Sequence, residues 1–173
     1  EHYDPEKSWQ EAIKRQYGPL AKDMALFAAG SRHLENDWAS IGLADDPDFA
    51  ATAERLLESW PDGAGAKAAH AALLAMADAR AKAAGRLLKE LPPEQLKACR
   101  PQLEQTVRLA SASRTALMLL QVQQAVAKDG GRHERSLRDK LQRELTAIDQ
   151  HEAEAEVSEK AMGAFVRNVA RRR

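Results

Sequence analysis

Apolar residues recur along this chain at three- and four-residue intervals, without the two-residue alternation of a half-buried strand. Asp4 and Pro5 read as an N-cap and a first helical residue, and a short helix is predicted from Pro5 to Tyr17. Trp9, Ala12, Ile13 and Gln16 share one of its faces. Gly18-Pro19 stops that helix and starts a second, which carries Leu20, Met24 and Phe27 at helical spacing and fades near Gly30. Residues 31–38 mix polar and aromatic side chains and read as irregular or weakly helical. Asp46-Pro47 repeats the cap-and-proline signal, and Phe49, Ala53, Leu56, Leu57 and Trp60 come next as an apolar stripe. Residues 61–65, Pro-Asp-Gly-Ala-Gly, form a loop.

Three long helices are predicted next. The first covers residues 66–91, with Leu73, Ala77, Ala84, Leu87, Leu88 and Leu91 inward, and Pro92-Pro93 ends it. A turn of helix through Leu96 and Cys99 leads to Pro101, which should kink or restart the second because proline lacks an N–H and clashes with the preceding turn. That helix carries Leu103, Val107, Ala110, Leu117 and Leu120 to about Lys128, and Gly130-Gly131 makes the turn. The third runs from about His133 to the end as one element, marked by Leu137, Leu141, Leu145, Ile148, Ala155, Met162, Phe165 and Val169. Stripes this wide need partner helices. The expected fold is all-α: an antiparallel bundle of three long helices preceded by shorter ones.

Composition narrows the function. Lys plus Arg and Asp plus Glu are 26 each, a balance that speaks against a general nucleic-acid binder. Arg171-Arg172-Arg173 reads as a solvated helix end whose charge suits the dipole. No apolar run approaches the roughly 20 residues of a membrane span, so no membrane partner is expected, and the chain reads as soluble, cytoplasmic or exported. Cys99 is the single cysteine and has no activating neighbour in sequence, so an inert buried thiol is expected. The histidines invite a metal reading. His133 and His151 share a predicted helix, but no Glu-x-x-His or His-x-x-x-His accompanies them, so no metal site is assigned. His151 falls between Ile148 and Ala155 and reads as a hydrogen-bonded core histidine, and His70 as exposed or lightly packed. Glu152, Glu154, Glu156 and Glu159 read as a charged helix surface. Nothing in the pattern calls for a cofactor.

Tyr3, Asp4, Ser8 and Trp9 stand in a pattern that resembles the junction just after the catalytic barrel in glycoside hydrolase family 84, the β-N-acetylglucosaminidases that include the O-GlcNAcases. Ala25-Leu26-Phe27-Ala28 followed by Ser31-Arg32 resembles the start of that family's post-catalytic helical domain. Asn36-Asp37-Trp38, Asp45-Asp46-Pro47 and the stretch from Leu91-Pro92-Pro93 through Leu103 resemble later segments of the same domain. The resemblance covers most of residues 1–128 and thins over the last helix. It implies that residues 1–17 are a junction helix behind a catalytic barrel and residues 18–173 a post-catalytic bundle.

By that resemblance the parent enzyme removes terminal β-linked N-acetylglucosamine from protein or polysaccharide. It would do so by substrate-assisted attack of the 2-acetamido oxygen, aided by two neighbouring aspartates, an exception to the usual two-carboxylate scheme. That aspartate pair belongs to the barrel. Asp45-Asp46 precedes Pro47 without a strand before it and reads as a helix cap, so this chain alone is expected to be inactive, with no catalytic residue. Its partners would be the barrel of the same protein and, through it, a glycoprotein or glycan. Trp9, Trp60 and their neighbours read as packing, yet without a barrel the face bearing Trp9, Ile13 and Tyr17 should be partly orphaned. Arg32, His33, Asn36 and Trp38 have two readings. They are either a buried interdomain turn whose Trp fills a gap, or a rim that packs on the barrel or borders its substrate cleft. A reading from another class is an autonomous helical interaction module unrelated to sugars.

Overall fold

The computed structural model describes residues 5–28, 47–125, 129–151 and 157–172. All the regular structure among these residues is helical. Helix α1 spans Pro5–Tyr17, a 3-10 turn follows at Gly18–Leu20, and α2 spans Ala21–Ala28. Helix α3 covers Pro47–Ser59, α4 Ala64–Glu90, α5 Pro93–Gln124, α6 Arg132–Gln150 and α7 Val157–Arg171.

Helix α5 is the axis of the bundle. Helix α4 runs antiparallel beside it, as the cross-links between His70 and Leu117 and between Asp78 and Arg114 require. Helix α6 packs on another side, also antiparallel: Gln123 bonds Glu134, Ser111 bonds Glu144, and Gln105 bonds Ile148. The main core gathers Phe49 and Leu56 from α3, Leu73 and Ala77 from α4, Leu109 through Leu120 from α5, Leu141 and Ile148 from α6, and Phe165 and Val169 from α7. Phe49 and Phe165 meet edge-to-face, with centroids 6.1 Å apart, a geometry that suits the ring quadrupoles. A second core closes the Pro92 end of the α4–α5 hairpin. Ile13, Leu20 and Met24 there cover Ala84, Leu87, Leu91, Leu96 and Leu103.

Two expectations need correction. Pro101 neither ends nor restarts a helix: α5 runs through it as one 32-residue element. Interior proline costs about 3 kcal/mol. Leu96 before it and Leu103 after it both bury in the second core, and each fully buried leucine is worth about 1.5–3 kcal/mol. A helix that ended at Pro101 and restarted in a new direction would forfeit one of them.

The last long helix is two helices. Helix α6 stops at Gln150, where the His151 N–H bonds the Ile148 carbonyl at 3.0 Å. Helix α7 returns antiparallel to α6, with Arg138 reaching the Arg172 carbonyl and Arg167 reaching Asp149. The reason is length. Ile148 already lies opposite Gln105, only 12 residues from the start of α5 at Pro93. At about 1.5 Å per residue, an unbroken helix would run past the bundle and leave Met162, Phe165 and Val169 in water. Folding back places all three in the main core. His151 is therefore a half-buried helix end, not a residue in the middle of a helical stripe.

Candidate docking surface

Trp9, Ile13 and Tyr17 recur every four residues, so they share one face of α1. Ile13 is buried, Trp9 and Tyr17 are half-buried, and all three meet the second core. Ala12 and Gln16, assigned to this face from sequence, are exposed. Gly18 then adopts φ +51°, a conformation that glycine enters without a Cβ clash. With Pro19 it turns the chain so that α2 lies beside α1. Leu20 and Met24 are buried and Phe27 half-buried against the same core. Asp23 pins α2 to α4 through a 3.0 Å ion pair with Arg86, which also bonds Glu90 at 3.2 Å.

The inner faces of α1 and α2 are thus used. Their outer junction is an open groove of about 810 Å³, lined by Trp9, Ile13, Pro19, Ala21, Ala25 and Leu26, with Lys14 and Lys22 among its polar margins. Leu26 is 39% exposed and is one of two large apolar side chains exposed among the described residues, the other being Met118 on α5. An exposed apolar patch at a polar margin is the usual mark of a contact with another surface. Trp9 therefore does two things: it packs inward on the second core and presents an edge to this groove. Arg32, His33, Asn36 and Trp38, the other residues assigned to a barrel-facing or cleft-rim surface, lie outside the described residues, as does the Asp45-Asp46 pair.

The remaining chemical candidates resolve into structure. Burial pushes the Cys99 thiol up from its ordinary value, and its sulfur donates to the Gln95 carbonyl at 3.4 Å. The thiolate that nucleophilic chemistry needs is thereby disfavoured. Burial likewise raises the Tyr17 phenol, with the neighbouring Cys99 adding to the effect. His70 is more tightly held than the sequence implies. Its Nε2 lies 2.9 Å from the Leu117 carbonyl and its ring stacks on Trp60, centroids 5.2 Å apart. Trp60 itself packs against the main core. His70 is on α4, while His133 and His151 sit at opposite ends of α6. Among the described residues no group of three or more His, Cys, Asp or Glu side chains converges on a point where a metal could sit. No described helix is long and apolar enough to cross a membrane.

Arg172 is the residue whose role the sequence concealed. It reads as part of a solvated basic tail, but its guanidinium donates to the Leu57 carbonyl on α3 and its own carbonyl accepts from Arg138 at 2.9 Å. It closes the end of α7 onto α3 and α6. No periodicity signals such a bond, because it joins residues 115 positions apart.

The sequence matches the hyaluronidase post-catalytic domain-like family over residues 48–166. The chain belongs to that family, and is a C-terminal, post-catalytic helical domain of a hyaluronidase-like glycosidase. The matched stretch takes in α3 to α6 and most of α7. Helices α1 and α2, which build the groove, precede it.

Proposed function

We propose that this chain is the post-catalytic domain of a glycoside hydrolase family 84 β-N-acetylglucosaminidase, an O-GlcNAcase-like enzyme that removes terminal β-linked N-acetylglucosamine. In this reading the domain does no chemistry. It braces the catalytic barrel from behind and holds the surface that borders the cleft. The observation that carries the reading is the order of segments. Tyr3, Asp4, Ser8 and Trp9 stand in the family's barrel-closing pattern, directly ahead of a helical domain that belongs to a post-catalytic family. The physical support is rigidity. A bundle with two closed cores, cross-linked by buried hydrogen bonds such as Gln105 to Ile148, suits a strut better than a mobile adaptor.

The test compares two proteins on an aryl β-N-acetylglucosaminide: the parent protein with its preceding module, and the isolated chain. Turnover is expected from the first and none above the buffer blank from the second. Turnover by the repurified chain, or a parent protein that ignores this substrate while cleaving another glycan linkage, would overturn the reading.

A further inference from the structure

We infer that α3 is a strap that lifts off the bundle as a unit, held shut by a clasp of two side chains, Arg172 at the end of α7 and Gln124 of α5. Such a motion belongs to the fold itself and does not depend on which glycan the parent enzyme cleaves.

The seat of α3 is narrow. Among the described residues its buried side chains are Phe49, Thr52, Ala53 and Leu56, all on one stripe. Open grooves of about 560 and 500 Å³ run along its two flanks, the first against α4 and the second against α7. Alanines line both, Ala68, Ala69 and Ala72 on α4 and Ala161 and Ala164 on α7. Beside such gaps the flanks of α3 lose the dispersion contacts that would grip it. Helix α6 is held differently. It is pinned along its length to α5 by the bonds at Glu134, Glu144 and Ile148. Helix α3 is also short, at 13 residues. A helix of that length is marginal in water once its packing is lost, so it opens whole.

The clasp lies at one end of the bundle. Helices α3, α5 and α7 run parallel, and their C-termini gather there, as the Leu57–Arg172 and Pro61–Gln124 bonds require. Each of those ends carries partial negative charge, and the last carbonyls of a helix have no partner inside it. The Trp60 N–H takes the Leu56 carbonyl at 2.8 Å, and the Arg172 guanidinium takes that of Leu57. Just past α3, the Pro61 carbonyl accepts from Gln124 at 3.1 Å. Arg172 is itself fixed. Its N–H bonds the Val169 carbonyl at 3.1 Å, and its own carbonyl accepts from Arg138, which Glu134 holds at 2.8 Å. One cation thus closes two helix ends, and it reaches α3 from a support that stays behind when α3 lifts.

Native-state hydrogen exchange in low urea tests the strap and the clasp together. Amides of residues 52–59 should exchange through an opening populated at least about tenfold more than that of residues 109–120 in α5, and less steepened by urea. Arg172→Ala should speed exchange over residues 52–59 at least about tenfold, and Gln124→Ala about threefold, the usual effects of losing a charge-assisted and a neutral hydrogen bond. Gln105→Leu is the control. It weakens an α5–α6 bond that survives when α3 lifts, so it should leave residues 52–59 unchanged while speeding residues 109–120. Equal opening and equal urea dependence in α3 and α5 would overturn the inference, because the bundle would then open only as a whole. So would a Gln105→Leu variant that speeds both segments alike. Exchange in α3 that ignores both Arg172→Ala and Gln124→Ala would also overturn it, since nothing would then mark these side chains as the clasp.

Discussion

Gln105 donates its side-chain amide to the backbone carbonyl of Ile148 across 3.1 Å, from a position with no solvent exposure. Its own Oε1 accepts from Arg108 at 3.3 Å, and the Ile148 carbonyl also accepts the His151 N–H at 3.0 Å. A buried amide is tolerated because both of its ends are satisfied, and the bond sits where α6 stops. Gln105→Leu should cost about 0.5–1.5 kcal/mol, the net worth of one hydrogen bond, because the Ile148 carbonyl keeps the His151 N–H. It should also speed amide exchange in the last turn of α6. A denaturant melt with exchange readout checks both, and a Leu variant as stable as the parent chain would show that the bond contributes nothing net.

Leu141 and Phe165 both belong to the main core, at 1% and 2% exposure. Leu141→Ala and Phe165→Ala should each cost about 2–5 kcal/mol, the transfer loss plus the cavity left behind. Arg143, two residues from Leu141 and exposed, should tolerate alanine within about 0.5 kcal/mol. Urea melts of the three variants test the phase of α6. If Arg143→Ala proved the most damaging, the assigned inner face would be wrong.

Much of this arrangement is legible in the sequence. The Pro5 start, the Gly18-Pro19 break, the Pro92-Pro93 stop and the Gly130-Gly131 turn all fall where local chemistry puts them. Gly130 and Gly131 adopt φ of +65° and +77°, which any other residue enters at a cost. What the sequence hides is tertiary. Nothing local in the stretch around His151 tells a long periodic pattern to fold back; that is decided by where α5 runs out. Pro101 carries a strong local breaker signal that burial on both sides outweighs. The groove at Trp9 and Leu26 is half legible. The α1 stripe announces an apolar face, but which part stays open depends on how α2 lies beside it.

Two carboxylates at the α5–α6 turn add a pH-dependent contribution to stability. Backbone N–H groups of His133 and Gly131 hold Asp129 below its ordinary value, the His133 bond first. Hydrogen bonds from Arg138 and then Gln123 do the same for Glu134. A lowered folded pKa means that the unfolded chain binds the proton more tightly. The stabilisation is therefore complete above the unfolded values of about 4 and is lost as pH falls through the lower folded ones. Asp129→Ala with Glu134→Ala should lower the melting midpoint at pH 7, and the gap to the parent chain should close as pH falls below the unfolded values of about 4. Melts across that range decide it; a gap that stays constant into acid would show that the lost stability comes from packing and not from these charges.

Pro101 lies nine positions into α5, where it denies the helix one backbone hydrogen bond and crowds the turn before it. Removing it should help. An interior proline costs a helix about 3 kcal/mol, while the rigidity it lends the unfolded chain returns about 0.4–1 kcal/mol to folding. The balance predicts that Pro101→Ala stabilises the domain by about 2 kcal/mol, an uncommon sign for a half-buried position. The side chain contributes little to set against this, since the second core at this point is held by Leu96 and Leu103 on either side. A guanidinium melt reads the change, and exchange at residues 97–105 should slow in step as the missing bond to the Lys97 carbonyl forms. A loss of stability instead would mean that α5 depends on the local geometry proline imposes to bring Leu96 onto the second core.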